Sequence, residues 1–222
     1  MGARLAKLLR AQGWFLGATL LFVLTGILLL QLMGRDPLFM AINGWHTPWA
    51  DPVFQYTTWL GDGVFFAVVV VLLGFYRFGF ALLAGLSFGL SSLLAQLLKK
   101  LVFSDALRPK GYFDDLSVVH FVEGVSVHAR NAFPSGHTTT AFSVFLVLAI
   151  FLNKPKAGVL LAVLAMLAGW SRIYLGQHFP EDVVAGASLG TLTTLLVFST
   201  LNPETWGKWT RLSFRTLKQK SR

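Results

Sequence analysis

The chain has 222 residues, of which 55% are hydrophobic and 13% carry a formal charge. A soluble domain carries about 25% charged residues, so this deficit, with a mean hydropathy of +0.63, argues for lipid rather than water as the main solvent. The absence of cysteine excludes disulfides, thiolate metal sites and thiol nucleophiles; the net charge of +9 sits mainly at the two termini, beside apolar runs and without the aromatic–basic stripe that grips nucleic acid, which argues against that partner and for a membrane protein with its basic residues on the inner side.

Arg4, Lys7 and Arg10 precede a first apolar run over 14–33. About 20 apolar residues cross a bilayer as a helix. This run is longer than a signal-peptide core and closes without a small-x-small cleavage site, so it reads as a retained anchor. Gly34 to Asp62 holds Pro37, Pro48 and Pro52 and reads as a loop, with a short interfacial helix over Leu38 to Trp45. Apolar runs over 63–76 and 78–98 give spans two and three, joined by a tight turn at Arg77. A polar stretch from Lys99 to His137 leads to span four over 138–152, Asn153 to Lys156 make a turn, and spans five and six follow over 157–174 and 182–200. Lys208 to Arg222 form a basic tail suited to anionic lipid. The expectation is an all-α fold: one domain over 1–222, built as a polytopic bundle of six transmembrane helices.

The basic residues orient this bundle. Arg4, Lys7, Arg10, Arg77, Lys154, Lys156 and the tail hold twelve of the nineteen Lys and Arg, with Glu204 the acid among them. Arg35, Lys99, Lys100, Arg108, Lys110, Arg130 and Arg172 fall on the other side. Both termini are therefore expected in the cytoplasm, and the long loop after span three faces outward together with the short one after span five.

Three clusters meet at that outer face. Lys99, Lys100 and Arg108-Pro109 close span three; the lysines alone would serve as snorkelling anchors, whereas the planar fork of Arg108 suits a phosphate. Pro134-Ser135-Gly136-His137 opens span four, where free backbone N–H groups attract anions and Ser135 either caps the helix or donates to a phosphate oxygen. Ser171 and Arg172 end span five, and His178 and Asp182 follow. Their four-residue spacing brings a carboxylate to Nδ1–H of an imidazole and leaves Nε2 as nucleophile or base. His46, His120 and His128 match no pattern and read as ordinary polar or interfacial residues. Val118 to Ala129 is apolar enough to pack on the membrane or to cover the site as a substrate lid. The outward acids Asp105, Asp114, Asp115 and Glu123 lack metal-ligand spacing.

Together these clusters resemble the signature of the type 2 phosphatidic acid phosphatase superfamily, which shares its site with vanadium-dependent haloperoxidases. The family pattern reads Lys-x6-Arg-Pro, then Pro-Ser-Gly-His, then Ser-Arg-x5-His-x3-Asp. Pro134 to His137 match the second part, and Ser171, Arg172, His178 and Asp182 match the third. In the first, seven residues rather than six separate Lys100 from Arg108, and Lys99 does not restore the spacing.

The resemblance implies a membrane enzyme that removes phosphate from lipid-linked phosphomonoesters or diphosphates, with no metal and no other cofactor. Undecaprenyl diphosphate, phosphatidic acid, phosphatidylglycerol phosphate and lipid A phosphates are the implied substrate types. His178 would attack phosphorus, His137 would protonate the leaving oxygen and later activate water, and Asp182 would orient His178. Lys100, Arg108, Ser135, Gly136 and Arg172 would hold the phosphate. The implied location is the plasma (inner) membrane, with the site on the extracytoplasmic face. A lipid phosphotransferase would carry the same motifs. A haloperoxidase fits poorly with six apolar spans, and a transporter fits poorly with charges gathered at one face.

Overall fold

The computed structural model describes residues 2–202, 205 and 207–214. Of the expected basic tail, the part beyond residue 214 lies outside the described residues. The fold is all-helical; among the described residues the extended pairing is a single antiparallel bridge between Leu107 and Arg130.

Helix α1 (Gly2–Ala11) carries Arg4, Lys7 and Arg10 and buries none of its residues. Helix α2 (Gly13–Met33) buries only Phe15 and Thr19, leaving leucines such as Leu21 and Leu32 exposed, as a lipid-facing helix does. The proline-marked segment, expected as a loop with one short helix over Leu38 to Trp45, is largely helical: α3 (Arg35–Asn43), which overlaps that expected helix, α4 (Ala50–Thr57) and a 3₁₀ turn over Thr58–Gly61. Pro37 and Pro52 each fall in a first turn, where a missing N–H breaks no helical bond. The turn signal therefore marked helix starts.

Helices α5 (Gly63–Gly74), α6 (Phe78–Leu97), α8 (Gly136–Leu152), α9 (Pro155–Tyr174) and α10 (Pro180–Thr200) occupy the remaining apolar runs, with the short α7 (Pro109–Tyr112) between α6 and α8. By length and composition four helical stretches can cross a membrane: Gly13–Met33, Phe78–Val102, Pro155–Tyr174 and Pro180–Thr200. A fifth arises if Ala50–Gly61 and Gly63–Gly74, bent by 53°, count as one. The 17-residue α8 is shorter than these spans.

Helix α8 is the centre of the bundle. It packs on α9, α10, α6 and α5, and every residue from Thr138 to Val147 is buried. Small residues on its neighbours allow this enclosure: a side chain at Gly190 would strike the Thr139 carbonyl oxygen, and one at Gly186 would lie 2.7 Å from that of Ser135. Phe66, Phe142, Phe145, Leu146 and Phe198 fill the adjoining core, and Ser143 bonds Thr194 at 2.8 Å between α8 and α10. This antiparallel packing brings the end of α6, the start of α8, the end of α9 and the start of α10 to one end of the bundle.

Candidate active site

That end holds a cavity of about 460 Å³, a size suited to a small polar group. Lys99, Arg108, Gly136, His137, Arg172, Gln177 and His178 line it, with Ser126 and His128 from the polar segment, Gly61 from the end of the 3₁₀ turn and Gly63 from the start of α5.

His178 lies in the tight loop between α9 and α10, whose Gln177 and His178 amides both donate to the Arg172 carbonyl, at 2.9 and 3.1 Å. Asp182 stands in the first turn of α10. One carboxylate oxygen, Oδ2, accepts from the Phe179 amide at 3.0 Å and lies 3.1 Å from His178 Nδ1. The backbone oxygen of Asp182 accepts from Ser135 N at 2.9 Å, which ties the start of α10 to the start of α8. His178 is 1% exposed. Burial, then the nearby cations Arg108, Arg172 and Lys99 together with His137, hold its imidazole well below its ordinary pKa. The ring is therefore neutral, and with Nδ1–H on Asp182 its free Nε2 is the basic atom.

Ser135 caps α8. Its Oγ accepts from Thr138 N at 3.4 Å and from Thr138 Oγ1 at 2.9 Å. Ser135 is wholly buried and is not among the residues lining the cavity. Gly136 and His137, the first two residues of the helix, reach the cavity directly. His137 Nε2 stands 3.8 Å from Asp62 Oδ2. Asp62 caps α5 through a 2.7 Å bond from Val64 N.

Three cations converge here. Arg108 is clamped by carbonyls: Nε donates to Arg130 O at 3.0 Å and Nη2 to Asn131 O at 3.4 Å, while Nη1 donates to Gln177 Oε1 at 3.2 Å. Burial pulls its guanidinium down from its usual pKa, and the Asp182 charge opposes this. Arg172 donates from Nη1 to Thr58 Oγ1 at 2.6 Å, and its buried Nε has no partner among the described residues. The third cation is Lys99, not Lys100. Lys99 is 6% exposed and lines the cavity, whereas Lys100 is exposed and does not. Helix α6 ends in a π-turn over Leu98–Val102, which holds more residues per turn than an α-turn. This wider turn absorbs the lengthened spacing to Arg108 and turns Lys99 inward.

Gln177, Thr58 and Asp62 also join the site, although no sequence pattern marks them. Thr58 and Asp62 sit in the segment read as a loop. The Val118–Ala129 segment does reach the cavity, through Val125, Ser126 and His128. His46 and His120 lie elsewhere, stacked at 4.0 Å, with His120 Nε2 3.0 Å from Asp51. Among the described residues no group of three or more His, Asp or Glu is placed to hold a metal ion.

Residues 80–206 match the sequence model of the PAP2 superfamily. A phosphatidylglycerophosphatase B of Bacillus subtilis is 35% identical over 68% of this chain and 74% of its own length. An undecaprenyl-diphosphatase of the same organism is 30% identical over 72% and 81%. A lipid A 1-phosphatase of Rhizobium johnstonii is 32% identical over 72% of this chain, which spans 59% of that protein. Among solved structures, LpxE of Aquifex aeolicus superposes with a TM-score of 0.65 at 29% identity, covering 73% of this chain and 93% of its own. A transmembrane PAP2-type phosphatidylglycerolphosphate phosphatase from Bacillus subtilis gives 0.60 at 32% identity, covering 81% and 93%.

Proposed function

Because the chain belongs to the PAP2 superfamily, a family of phosphatases whose members among its relatives act in membranes, we propose that it hydrolyses lipid-linked phosphomonoesters or diphosphates through a phosphohistidine. One observation carries this reading. Lys99, Arg108 and Arg172 are 6%, 8% and 6% exposed, and among the described residues none forms an ion pair, yet all line one cavity with His178. Burying an ion costs several kcal/mol unless an opposite charge compensates. Three such cations around one imidazole are the complement of a phosphate carrying two or three negative charges.

In this mechanism Nε2 of His178 attacks phosphorus, and the N–P bond forms as the P–O bond to the lipid breaks. His137 gives its proton to the leaving oxygen. Water then attacks the phosphohistidine, His137 takes the proton, and the N–P bond breaks to release orthophosphate. Asp182 keeps Nδ1–H in place and offsets the charge gained by the ring. Lys99, Arg108, Arg172 and the Gly136 amide hold the equatorial oxygens as charge redistributes. Ser135, wholly buried and outside the cavity lining, acts through the start of α8 that it caps, where Gly136 and His137 reach the cavity. Lys100, exposed at the bundle end, serves as an interfacial anchor.

Lipid character follows from the surroundings. Beside Gly61 and Gly63 lies a second groove of about 440 Å³ lined by Trp59, Leu60, Asp62, Val64 and Phe65, suited to a hydrocarbon chain whose phosphate sits in the polar cavity. We read the apolar helices α2, α5, α6, α8, α9 and α10 as six crossings, with both termini in the cytoplasm and the cavity on the extracytoplasmic side of the plasma membrane. The excess of basic residues at the opposite end supports this orientation.

The test is phosphate release by detergent-purified protein, with EDTA present, across phosphatidic acid, phosphatidylglycerol phosphate, undecaprenyl diphosphate and lipid A phosphates. Release that His178→Ala abolishes supports the mechanism, and the rank order names the substrate. Equal release by both proteins removes His178 as nucleophile.

A further inference from the structure

Gln177 is 1% exposed, lines the cavity and immediately precedes His178. Its amide makes two directed bonds: Oε1 accepts from Arg108 Nη1 at 3.2 Å, and Nε2 donates to the Ser126 carbonyl at 2.7 Å. Neither bond can reverse. A guanidinium only donates and a carbonyl only accepts, so the amide has one orientation that satisfies both.

The consequence for Arg108 follows from counting donors. A guanidinium has five N–H groups. Nε is committed to Arg130 O, one hydrogen of Nη2 to Asn131 O, and one of Nη1 to Gln177. Two remain, one on each terminal nitrogen, which is the pair that forms a bidentate grip on a phosphate. The two carbonyls come from the 130–131 backbone on one side, and Gln177 supplies the side-chain acceptor on the other. All three acceptors are neutral, so the guanidinium keeps its full charge for the ligand. Through Nε2 the same amide fastens Ser126, and with it the Val118–Ala129 segment, to the site.

We propose that Gln177 is a positioning residue. It fixes the plane of Arg108 so that its last two N–H groups face the phosphate, and it pins the Val118–Ala129 segment over the cavity at Ser126. This rests on the phosphate-site reading above. Glutamate at this position would still accept from Arg108 but would neutralise it and oppose the Ser126 carbonyl. Methionine would match the shape and lose both bonds.

The test is equilibrium binding of orthovanadate, by calorimetry on the full chain in detergent, to wild type, Gln177→Met, Gln177→Glu, Arg108→Ala and the double variant Arg108→Ala/Gln177→Met. A hydrogen bond to a charged group is worth about tenfold in affinity. Vanadate affinity is expected to fall by about that factor in Gln177→Met and at least as far in Gln177→Glu. With a hydrolysed lipid phosphate, KM should rise while kcat changes little. In the Arg108→Ala background, Gln177→Met should weaken vanadate binding far less than in wild type, because the part of its effect that runs through Arg108 is already gone. Unchanged affinity in Gln177→Met, or losses that simply multiply in the double variant, would overturn the proposal and leave the anion site standing. Absence of vanadate binding by wild type would instead overturn the phosphate-site reading itself, and this inference with it.

Discussion

Lys99 Nζ lies against Gly136 at the head of α8, 3.6 Å from the point where a side chain at that glycine would begin. An ammonium group thus stands beside the first free amides of a helix, and both line the same cavity. The neighbouring Lys100 is turned outward. The two lysines should therefore respond very differently to substitution. Lys99→Ala is expected to lower kcat/KM about 10²–10³-fold, as loss of one preorganised charge donor does, whereas Lys100→Ala should stay near wild type. Steady-state phosphate release with each variant decides it, and the reverse ranking would mean that the π-turn does not direct Lys99 inward.

Asp182 Oδ2 serves both Phe179 N and His178 Nδ1. In Asp182→Asn a single amide oxygen can still accept both bonds, so the variant removes charge while keeping geometry. The expected result is a kcat lower by about 10²-fold or more, because the ring loses its compensation as it becomes cationic. A kcat within a few-fold of wild type would show that Asp182 acts only as a helix cap.

His178 should stay neutral well into acid. Its pKa is lowered in the fold, so the neutral, nucleophilic form persists above that lowered value and is lost only as pH falls through it, below the ordinary value of about 6.5. Arg108 is the largest charge acting against protonation of the ring, so Arg108→Ala should move the titration upward. Histidine ¹⁵N NMR in detergent reads this directly. A His178 signal titrating at or above pH 6.5 in the wild type would contradict the burial and charge seen here.

Gly61 tests the packing that holds the cavity wall. A side chain there would run into the His137 backbone oxygen, and two backbones cannot yield as a flexible side chain can. Gly61→Ala should lose about 1–3 kcal/mol of stability and shift His137. Gly89→Ala, in α6 with nothing near its added atom, should be neutral or stabilising by about 0.5–1 kcal/mol. Thermal unfolding in one detergent compares the two; equal melting temperatures would refute the close approach.

Vanadate, which mimics five-coordinate phosphorus, should inhibit hydrolysis, and EDTA should not, since three side-chain cations supply the charge that a divalent metal would bring. EDTA inhibition reversed by Mg²⁺ would require a different mechanism.

The sequence by itself determined that the long apolar stretches are helical, because lipid leaves the backbone few alternatives and the composition records that demand. It also determined the His178–Asp182 pair, since a four-residue offset at a helix start fixes a local distance, and it offered the cap at Ser135 before α8 as one of two readings. Local rules failed where the local signal was ambiguous. Pro37 and Pro52 signal a turn and a helix start equally well, so α4 was hidden and the expected helix over Leu38 to Trp45 was set three residues late. Only the tertiary structure decided which lysine enters the site, because one π-turn at the end of α6 rotates the chain and spacing alone does not carry that rotation. Likewise Gln177 reaches the cavity, and Thr58 and Asp62 reach the cavity-lining Arg172 and His137, only through the packing of α4, α5 and the α9–α10 loop around α8. Their partners Arg172, His137 and Arg108 are 114, 75 and 69 residues away in sequence. Contacts over such distances are set by how helices stack, and a linear pattern does not encode them.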